Sequence, residues 1–217
     1  MKKEDYFTLE SIGKKARSML SDIKELRKQH SLKLCPRRAG LLVIDMQRYF
    51  LEKDSHAFIP SGQAIVTNIS QLINSCYQKK IPLIFTQHLN TEDDAGMMST
   101  WWRDLIRPGS HSSEIIPAFD TSKGTIIRKS QYDAFYGTKL ERILRDKGIS
   151  QVIICGVITH LCCEATARSA FVRGFKVSLT IDGTATYNEQ FHRATLWSAA
   201  HGFAVPMLTN EIISQLT

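Results

Sequence analysis

Short apolar runs alternate with amphipathic segments from Ala39 onward, and this alternation constrains the fold more than any other feature of the sequence. Six strands are predicted, at residues 41–44, 82–86, 124–128, 152–155, 176–181 and 203–207. The first is a continuous apolar run, typical of a strand covered on both faces. Helices are predicted at residues 65–76, 140–148, 162–173, 189–200 and 211–216. Strands that alternate with helices of this length form βαβ crossovers. We therefore predict an α/β fold of three layers, α/β/α, with a six-stranded, mainly parallel sheet.

The first 38 residues differ from the rest of the chain in charge and in pattern. They carry eleven Lys and Arg against five Asp and Glu, a net charge of +6, whereas residues 39–217 have a net charge of +1. Apolar positions three and four residues apart, beginning at Leu9, predict an amphipathic helix over residues 8–30 with a basic outer face. We therefore divide the chain into an N-terminal helical extension, 1–38, and a main domain, 39–217. The helix is expected to dock on its own domain or on a second subunit, rather than on a membrane surface or a polyanion.

Composition argues against several classes of protein. The main domain is nearly neutral and lacks the aromatic signature of RNA-binding domains and the spacing of zinc fingers, so no nucleic-acid partner is expected. No apolar run approaches the roughly 20 residues that span a bilayer, and no apolar segment of a signal peptide follows the basic N-terminus. The five cysteines have no disulfide-framework spacing, which predicts reduced thiols and a cytoplasmic protein without a membrane partner.

Reactive side chains follow three of the predicted strands. Asp45 comes after the first strand, Lys129 after the third, and Cys162 after the fourth, where a short turn leads into a helix. Because the carboxyl ends of parallel strands meet at one edge of a sheet, we expect these side chains to converge. The dipole and the free N–H groups of a helix N-terminus favour a thiolate. Lys129 would keep Asp45 ionised, and Asp45 would accept the thiol proton.

Helical phase distinguishes the two adjacent cysteines. Cys163 is in phase with small residues that suit packing against the sheet, so we interpret it as a buried structural thiol. Cys162 is in phase with polar residues and is the exposed candidate nucleophile. Alternatives remain open for the other two residues. Taken alone, Asp45 fits a structural salt bridge at a strand end equally well, and Lys129 has the default interpretation of a solvated surface cation.

Three motifs in this order resemble those of the isochorismatase-like cysteine hydrolases, a superfamily that includes nicotinamidase, N-carbamoylsarcosine amidase and the ureidoacrylate and biuret amidohydrolases. The motifs are LLVIDMQRYF at residues 41–50, KSQYDAF at 129–135 and GVITHLC at 156–162. The resemblance implies a Rossmann-like, isochorismatase-like hydrolase fold over the main domain, and a catalytic triad of Asp45, Lys129 and Cys162. It also implies an oxyanion hole formed by the backbone N–H groups of Ile158 and Cys162, with a cis peptide bond before Ile158.

The reaction implied by the resemblance is hydrolysis of a C–N bond in a small amide or ureido compound through a covalent thioester intermediate. Ureido compounds come first, because the Cys-Cys-Glu and Thr-Ala-Arg sequences are similar to those of amidohydrolases that act on them. One alternative is isochorismatase-type hydrolysis of a vinyl ether with Asp45 as general acid, although such enzymes typically lack the cysteine. A second is a non-catalytic member of the family that binds a partner through the basic N-terminal helix. A homo-oligomer, either a dimer or a tetramer, is expected.

Several loop residues are candidates for contact with the small-molecule substrate. Nicotinamidases of the superfamily bind a divalent metal through clustered Asp and His residues after the second strand. This chain has His88 there without an Asp-x-His motif, so no metal and no cofactor are expected. Residues 90–119 have weak periodicity and are expected to form a lid or a subunit contact. The candidate substrate-binding residues lie near strand ends or in flanking loops: Gln47, Phe50, His88, Trp101, Tyr132, Phe135, Thr159, His160 and Tyr187.

Overall fold

The computed structural model describes residues 2–216, so the first and last residues of the chain, Met1 and Thr217, lie outside the described residues. Six parallel strands form one sheet in the order β3-β2-β1-β4-β5-β6, flanked by helices, which confirms the predicted α/β architecture. The strands are β1 (Ala39–Ile44), β2 (Leu83–His88), β3 (Thr125–Lys129), β4 (Gln151–Val157), β5 (Lys176–Ala185) and β6 (Val205–Met207). Every residue of β1 and β4 is buried, which explains why both strands are apolar throughout their central residues.

The α-helices connect and flank these strands. They are α1 (Ile12–Asp22), α2 (Lys24–Lys28), α3 (Arg48–Leu51), α4 (Val66–Gln78), α5 (Met98–Trp101), α6 (Leu140–Asp146), α7 (Glu164–Val172), α8 (Glu189–Gly202) and α9 (Thr209–Leu216). A π-helical turn, Thr159–Cys163, precedes α7, and 3₁₀ turns occupy Pro36–Arg38, Pro60–Ile65, His111–Ser113 and Thr121–Lys123. Within residues 2–216, no helix combines the length and the apolar character that a membrane crossing requires.

The strand order reverses direction between β1 and β4, which are neighbours at the centre of the sheet. After β1 the chain proceeds to β2 on one side, and after β4 it proceeds to β5 on the other, so a crevice opens beyond the ends of these two strands. Gly156, near the end of β4, has a φ of 113°, and a Cβ atom there would lie 2.1 Å from the carbonyl oxygen of Ile44. Glycine is therefore required where the two strand ends approach each other at this crevice.

The N-terminal extension packs on its own domain, one of the two predicted alternatives. Tyr6, Phe7, Ala16 and Met19 are buried in the same hydrophobic core as the strands. The predicted single helix is instead two helices, α1 and α2, and the chain before α1 is irregular. Leu9 lies in this irregular part and is exposed, because helical periodicity does not apply before the helix begins.

Candidate active site

Asp45 is held at the end of β1 by contacts with two other strands. Its backbone has a φ of 47°, which turns the chain out of the strand. The Thr86 hydroxyl, on β2, accepts a hydrogen bond from the Asp45 N–H at 3.0 Å and donates one to Asp45 Oδ1 at 2.6 Å. The other carboxylate oxygen, Oδ2, lies 2.7 Å from Lys129 Nζ, and neither side chain has any solvent exposure. Each carboxylate oxygen therefore has a partner, and the two contacts fix the orientation of the Asp45 side chain.

Lys129 ends β3, two strands from β1, and its side chain extends back toward the centre of the sheet. Besides Asp45, its Nζ contacts the Gln131 carbonyl oxygen at 2.9 Å, His88 Nδ1 at 3.1 Å and Cys162 Sγ at 3.5 Å. His88 pairs with Lys129 in the β2–β3 register, and its Nε2 hydrogen-bonds Asn90 Oδ1 at 2.9 Å. The lysine is thus a buried cation that joins the carboxylate to the thiol, and the solvated-surface alternative is wrong.

Cys162 lies in the π-helical turn between β4 and α7. The turn begins after a cis peptide bond between Val157 and Ile158, the position that the family resemblance implies. The N–H groups of Leu161 and Cys163 both donate to the Ile158 carbonyl, at 3.1 and 3.2 Å. Cys162 is only 3% exposed, so the expectation of an exposed thiol is wrong, because the turn directs its sulfur toward Lys129. Cys163 is fully buried, as its helical phase predicts.

The pKa shifts of Cys162, Lys129 and His88 favour a neutral thiol at Cys162, not the thiolate that its place near a helix start predicts. Burial raises the pKa of Cys162 to about 12; the Lys129 charge opposes this shift and the Asp45 charge reinforces it. Burial lowers the pKa of Lys129, but the charges of Asp45 and Cys162 outweigh burial and raise it above its ordinary value. Burial, followed by the Lys129 charge, lowers the pKa of His88 to about 4, so its neutral ring accepts a hydrogen bond from the ammonium. The free protein therefore holds an ion pair beside a neutral thiol at neutral pH.

The same residues do not fit a metal ion. Asp45, His88 and Cys162 each present a ligand atom, and these atoms lie within 4.8 Å of one another. However, Lys129 Nζ lies against all three, at 2.7, 3.1 and 3.5 Å. A divalent cation in this position would have to share the carboxylate and the imidazole with an ammonium group, and like charges at such distances repel strongly in a buried site.

A cavity of about 190 Å³ opens next to Cys162. Its walls are mostly aromatic and aliphatic: Lys3, Tyr49, Phe50, His56, Ala57, His88, Asn90, Met98, Trp102, Asp104, Leu105, Ile106, Tyr132, Ile158, Leu161, Cys162 and Tyr187. Four of the candidate substrate-binding residues are among them: Phe50, His88, Tyr132 and Tyr187. The stretch 90–119, expected to be a lid or a subunit contact, supplies much of one wall.

Two of the remaining candidates lie beside the cavity but do not line it. The Gln47 amide is fully hydrogen-bonded to the end of β2 and to a 3₁₀ turn, since it accepts from the His88 N–H at 2.8 Å and donates to the His88 and Ser113 carbonyls at 3.0 and 2.9 Å. Trp101 is 73% exposed. Its neighbour Trp102 lines the cavity instead. The sequence identifies the aromatic pair but cannot show which ring faces inward, because the four-residue helix α5 is too short to establish a periodicity.

Three further candidates have contacts of their own outside the cavity wall. Phe135 packs on Phe175 with ring centroids 5.9 Å apart. Thr159 is buried within the turn. His160 Nδ1 lies 2.6 Å from the Thr186 hydroxyl, and its ring stacks on a neighbouring aromatic ring. Of the three, His160 belongs to the turn that carries Cys162 and links it to Thr186.

Several residues of the site were missed by the sequence reasoning. Asn90 lies two residues beyond the end of β2, a position that could have identified it, and Thr86 is a buried polar residue within β2. Tyr49 and His56 line the cavity from the segment after β1. Lys3 comes from the N-terminal extension, and no local feature of the sequence points to it.

Comparison with known proteins agrees with this geometry. A model of the isochorismatase domain matches residues 39–211, the part of the chain that contains all six strands. The chain belongs to the isochorismatase family. It is a hydrolase of the isochorismatase-like cysteine hydrolase superfamily, which confirms the resemblance seen in the motifs. Enzymes of this family act on small-molecule substrates.

Two curated relatives and one solved structure illustrate the range of the family. Nicotinamidase 3 of Arabidopsis thaliana is 40% identical over 76% of this chain and 82% of its own length. The isochorismatase of Bacillus subtilis is 30% identical over 83% of this chain, but the match spans only 59% of that protein. The crystal structure of a cysteine hydrolase from Pseudomonas syringae is 25% identical and has a TM-score of 0.83, covering 86% of this chain and 95% of its own.

Proposed function

We propose that this chain is a cysteine amidohydrolase that cleaves the C–N bond of a small amide through a covalent thioester intermediate. One observation carries the proposal. Lys129 Nζ lies 2.7 Å from Asp45 Oδ2 and 3.5 Å from Cys162 Sγ, and the sulfur opens onto a cavity of about 190 Å³. A nucleophile, a base and a cation are thus assembled at the wall of a space suited to a small molecule.

The protonation state of the thiol determines how the first step proceeds. Because burial keeps Cys162 protonated at neutral pH, its proton leaves as the sulfur attacks the carbonyl carbon of the substrate. The Asp45 carboxylate accepts this proton, and the new C–S bond places a negative charge on the carbonyl oxygen. Lys129 remains an ammonium throughout, and it holds the carboxylate oriented toward the reacting atoms.

The charge on the carbonyl oxygen needs donors that are already in place. We assign this role to the backbone N–H groups of Ile158 and Cys162 in the turn after β4. The intervening turn is held by the two N–H groups that donate to the Ile158 carbonyl, those of Leu161 and Cys163. When the tetrahedral intermediate collapses, the C–N bond breaks and the leaving nitrogen takes the proton from Asp45. Water then attacks the thioester, with Asp45 as base, and releases the carboxylic acid and the thiol.

The cavity favours an aromatic carboxamide over a ureido compound. Phe50, Trp102, Tyr132 and Tyr187 contribute rings to its wall, and such surfaces suit a planar apolar body. A ureido group carries additional N–H groups that an apolar wall would leave without acceptors. The relative named nicotinamidase, 40% identical, supports the same class. We therefore place nicotinamide-like amides first and ureides second.

The test measures ammonia release from nicotinamide and from an N-carbamoyl amino acid. Cys162→Ala is expected to lower kcat for the accepted substrate by at least about 10³-fold, because no thioester can form. Cys163→Ala is the matched control. It removes an adjacent sulfur that is buried away from the cavity and should stay within about tenfold of the unmodified enzyme. Full activity in Cys162→Ala would contradict the mechanism.

Hydrolysis of an isochorismate-type vinyl ether is the second candidate, because the isochorismatase of Bacillus subtilis is 30% identical over 83% of this chain. In that reaction Asp45 would act as a general acid and the thiol would not be needed. Pyruvate release from isochorismate that survives Cys162→Ala but is lost in Asp45→Asn would establish it.

A further inference from the structure

The N-terminal extension contributes to the cavity, although it lies outside the residues that match the family model. The match begins at residue 39, yet Lys3 lines the cavity together with residues of the main domain. This part of the wall is therefore specific to chains that carry such an extension. Its position makes it a place where substrate selection can differ between members of one family.

The segment before α1 is fixed against the main domain by backbone and side-chain hydrogen bonds. The Glu4 N–H donates to the Tyr187 carbonyl at 2.7 Å, and the Tyr6 hydroxyl accepts from the Thr186 N–H at 3.0 Å. The Phe7 N–H donates to the Ser61 hydroxyl at 2.9 Å. Tyr6 and Phe7 are also buried in the core, so the backbone is held in place three residues after Lys3.

The Lys3 ammonium has a defined position at the cavity wall. Its Nζ donates hydrogen bonds to the carbonyl oxygens of His56 and Phe58, the latter at 2.8 Å, and lies 4.7 Å from the centre of the Tyr187 ring. An ammonium has three N–H groups, so one remains after the two carbonyls are satisfied. Both Lys3 and Tyr187 line the cavity, so the ammonium lies beside the substrate space.

Most of the other polar groups of the wall are paired with one another; for example, the Trp102 ring N–H donates to the Tyr132 hydroxyl at 2.7 Å. Tyr49, His56 and Asp104 form one hydrogen-bonded group, and His88 pairs with Asn90. Among residues 2–216, Lys3 is the only lysine or arginine that lines the cavity, and burial keeps the His88 ring neutral. For a substrate whose carbonyl lies at Cys162, the strongest hydrogen-bond donor left on the cavity wall is therefore the Lys3 ammonium.

We propose that Lys3 is a specificity-determining residue, which donates its third N–H to a hydrogen-bond acceptor on the substrate away from the scissile carbonyl. The inference rests on the proposed amidohydrolase function and names the feature that the site selects, an aromatic amide with an acceptor such as a ring nitrogen. Nicotinamide and benzamide form a matched pair for this purpose, because they differ only by a ring nitrogen in place of a C–H group.

The experiment measures binding rather than turnover. In a Cys162→Ala background, the Kd values of nicotinamide and benzamide are determined by calorimetry with Lys3 intact, with Lys3→Met and with Lys2→Met. A hydrogen bond from a charged donor predicts that Lys3→Met weakens nicotinamide by about tenfold or more and changes benzamide by less than about twofold. Lys2→Met removes the same charge from the exposed neighbouring position and should change neither Kd.

Each other outcome would overturn the inference. If Lys3→Met weakens both ligands equally, the lysine only supports the wall. If Lys3→Met changes neither Kd, the lysine does not contact the acceptor. Failure of nicotinamide to bind would overturn the inference together with the preference for nicotinamide-like amides. Turnover by the unmodified enzyme separates the two proposals. Ammonia release with an unchanged binding ratio refutes the role of Lys3 alone, whereas a Lys3-dependent ratio without turnover of any amide refutes the amidohydrolase function alone.

Discussion

Replacing Lys129 with Met removes the ammonium of the buried ion pair and keeps most of the apolar stem of the side chain. The Asp45 carboxylate would then remain without solvent exposure and without the cation 2.7 Å from its Oδ2, with the Thr86 hydroxyl as its remaining side-chain donor. Removing one partner of such a pair costs about 3–5 kcal/mol, because the other charge stays buried and uncompensated. We expect Lys129→Met to lower the free energy of unfolding by about 4 kcal/mol.

The chain offers a control with the same substitution and the same distance. Lys28 Nζ lies 2.7 Å from Glu25 Oε1, but these side chains are 59% and 80% exposed. Water and salt screen that pair, so Lys28→Met should leave the urea midpoint unchanged. The double variant Lys129→Met with Asp45→Asn removes the charge left behind, and it should be more stable than Lys129→Met alone.

Urea unfolding at pH 7, followed by tryptophan fluorescence and analysed with a common m value, measures all four proteins. The reasoning fails if Lys129→Met shifts the midpoint no more than Lys28→Met does. It fails equally if adding Asp45→Asn destabilises the protein further, since the cost would then arise from lost packing rather than from an uncompensated charge.

Three further predictions concern the thiol, the cavity wall and acid stability. The rate of Cys162 alkylation by iodoacetamide should keep rising above pH 9, because burial raises the pKa of the thiol to about 12. Asp45→Asn should shift this rate profile to lower pH, because the carboxylate contributes to the raised pKa. An unshifted profile would contradict this explanation. Trp102→Ala should raise KM for the accepted amide several-fold, whereas Trp101→Ala, at a side chain 73% exposed, should leave KM unchanged; equal effects would show that the wall is assigned incorrectly. Burial lowers the pKa of His192 to about 3, so the unfolded chain binds more protons below pH 6.5 and the stability that this neutral histidine contributes is lost as pH falls. Between pH 7.5 and pH 5 the loss is about 2 kcal/mol. In urea titrations, His192→Gln should reduce the change in the free energy of unfolding between these pH values by that amount, and an unchanged pH dependence would be the contrary result.

The sheet and the position of the site follow from patterns that are local in the sequence. Strands buried on both faces, such as β1 and β4, are apolar in their central residues and are visible as short apolar runs. The edge strand β3 is partly exposed and is visible only from its two isoleucines, and polar residues follow both β1 and β3. The carboxyl ends of parallel strands share one edge, which is why the sequence pattern by itself groups Asp45, Lys129 and Cys162. Helical phase correctly predicted that Cys163 is buried, although both cysteines lie in the π-helical turn before α7 and Cys162 is buried as well.

The tertiary structure alone decided the features that depend on contacts between distant segments. Cys162 is buried rather than exposed because a π-helical turn aims its sulfur at a lysine from another strand, a geometry with no sequence period. Trp102 rather than Trp101 faces the cavity because irregular backbone sets the direction of each side chain. Lys3 reaches the site through hydrogen bonds to residues more than 50 positions away in the chain. Local propensity determines which elements form, whereas long-range packing determines what surrounds the thiol.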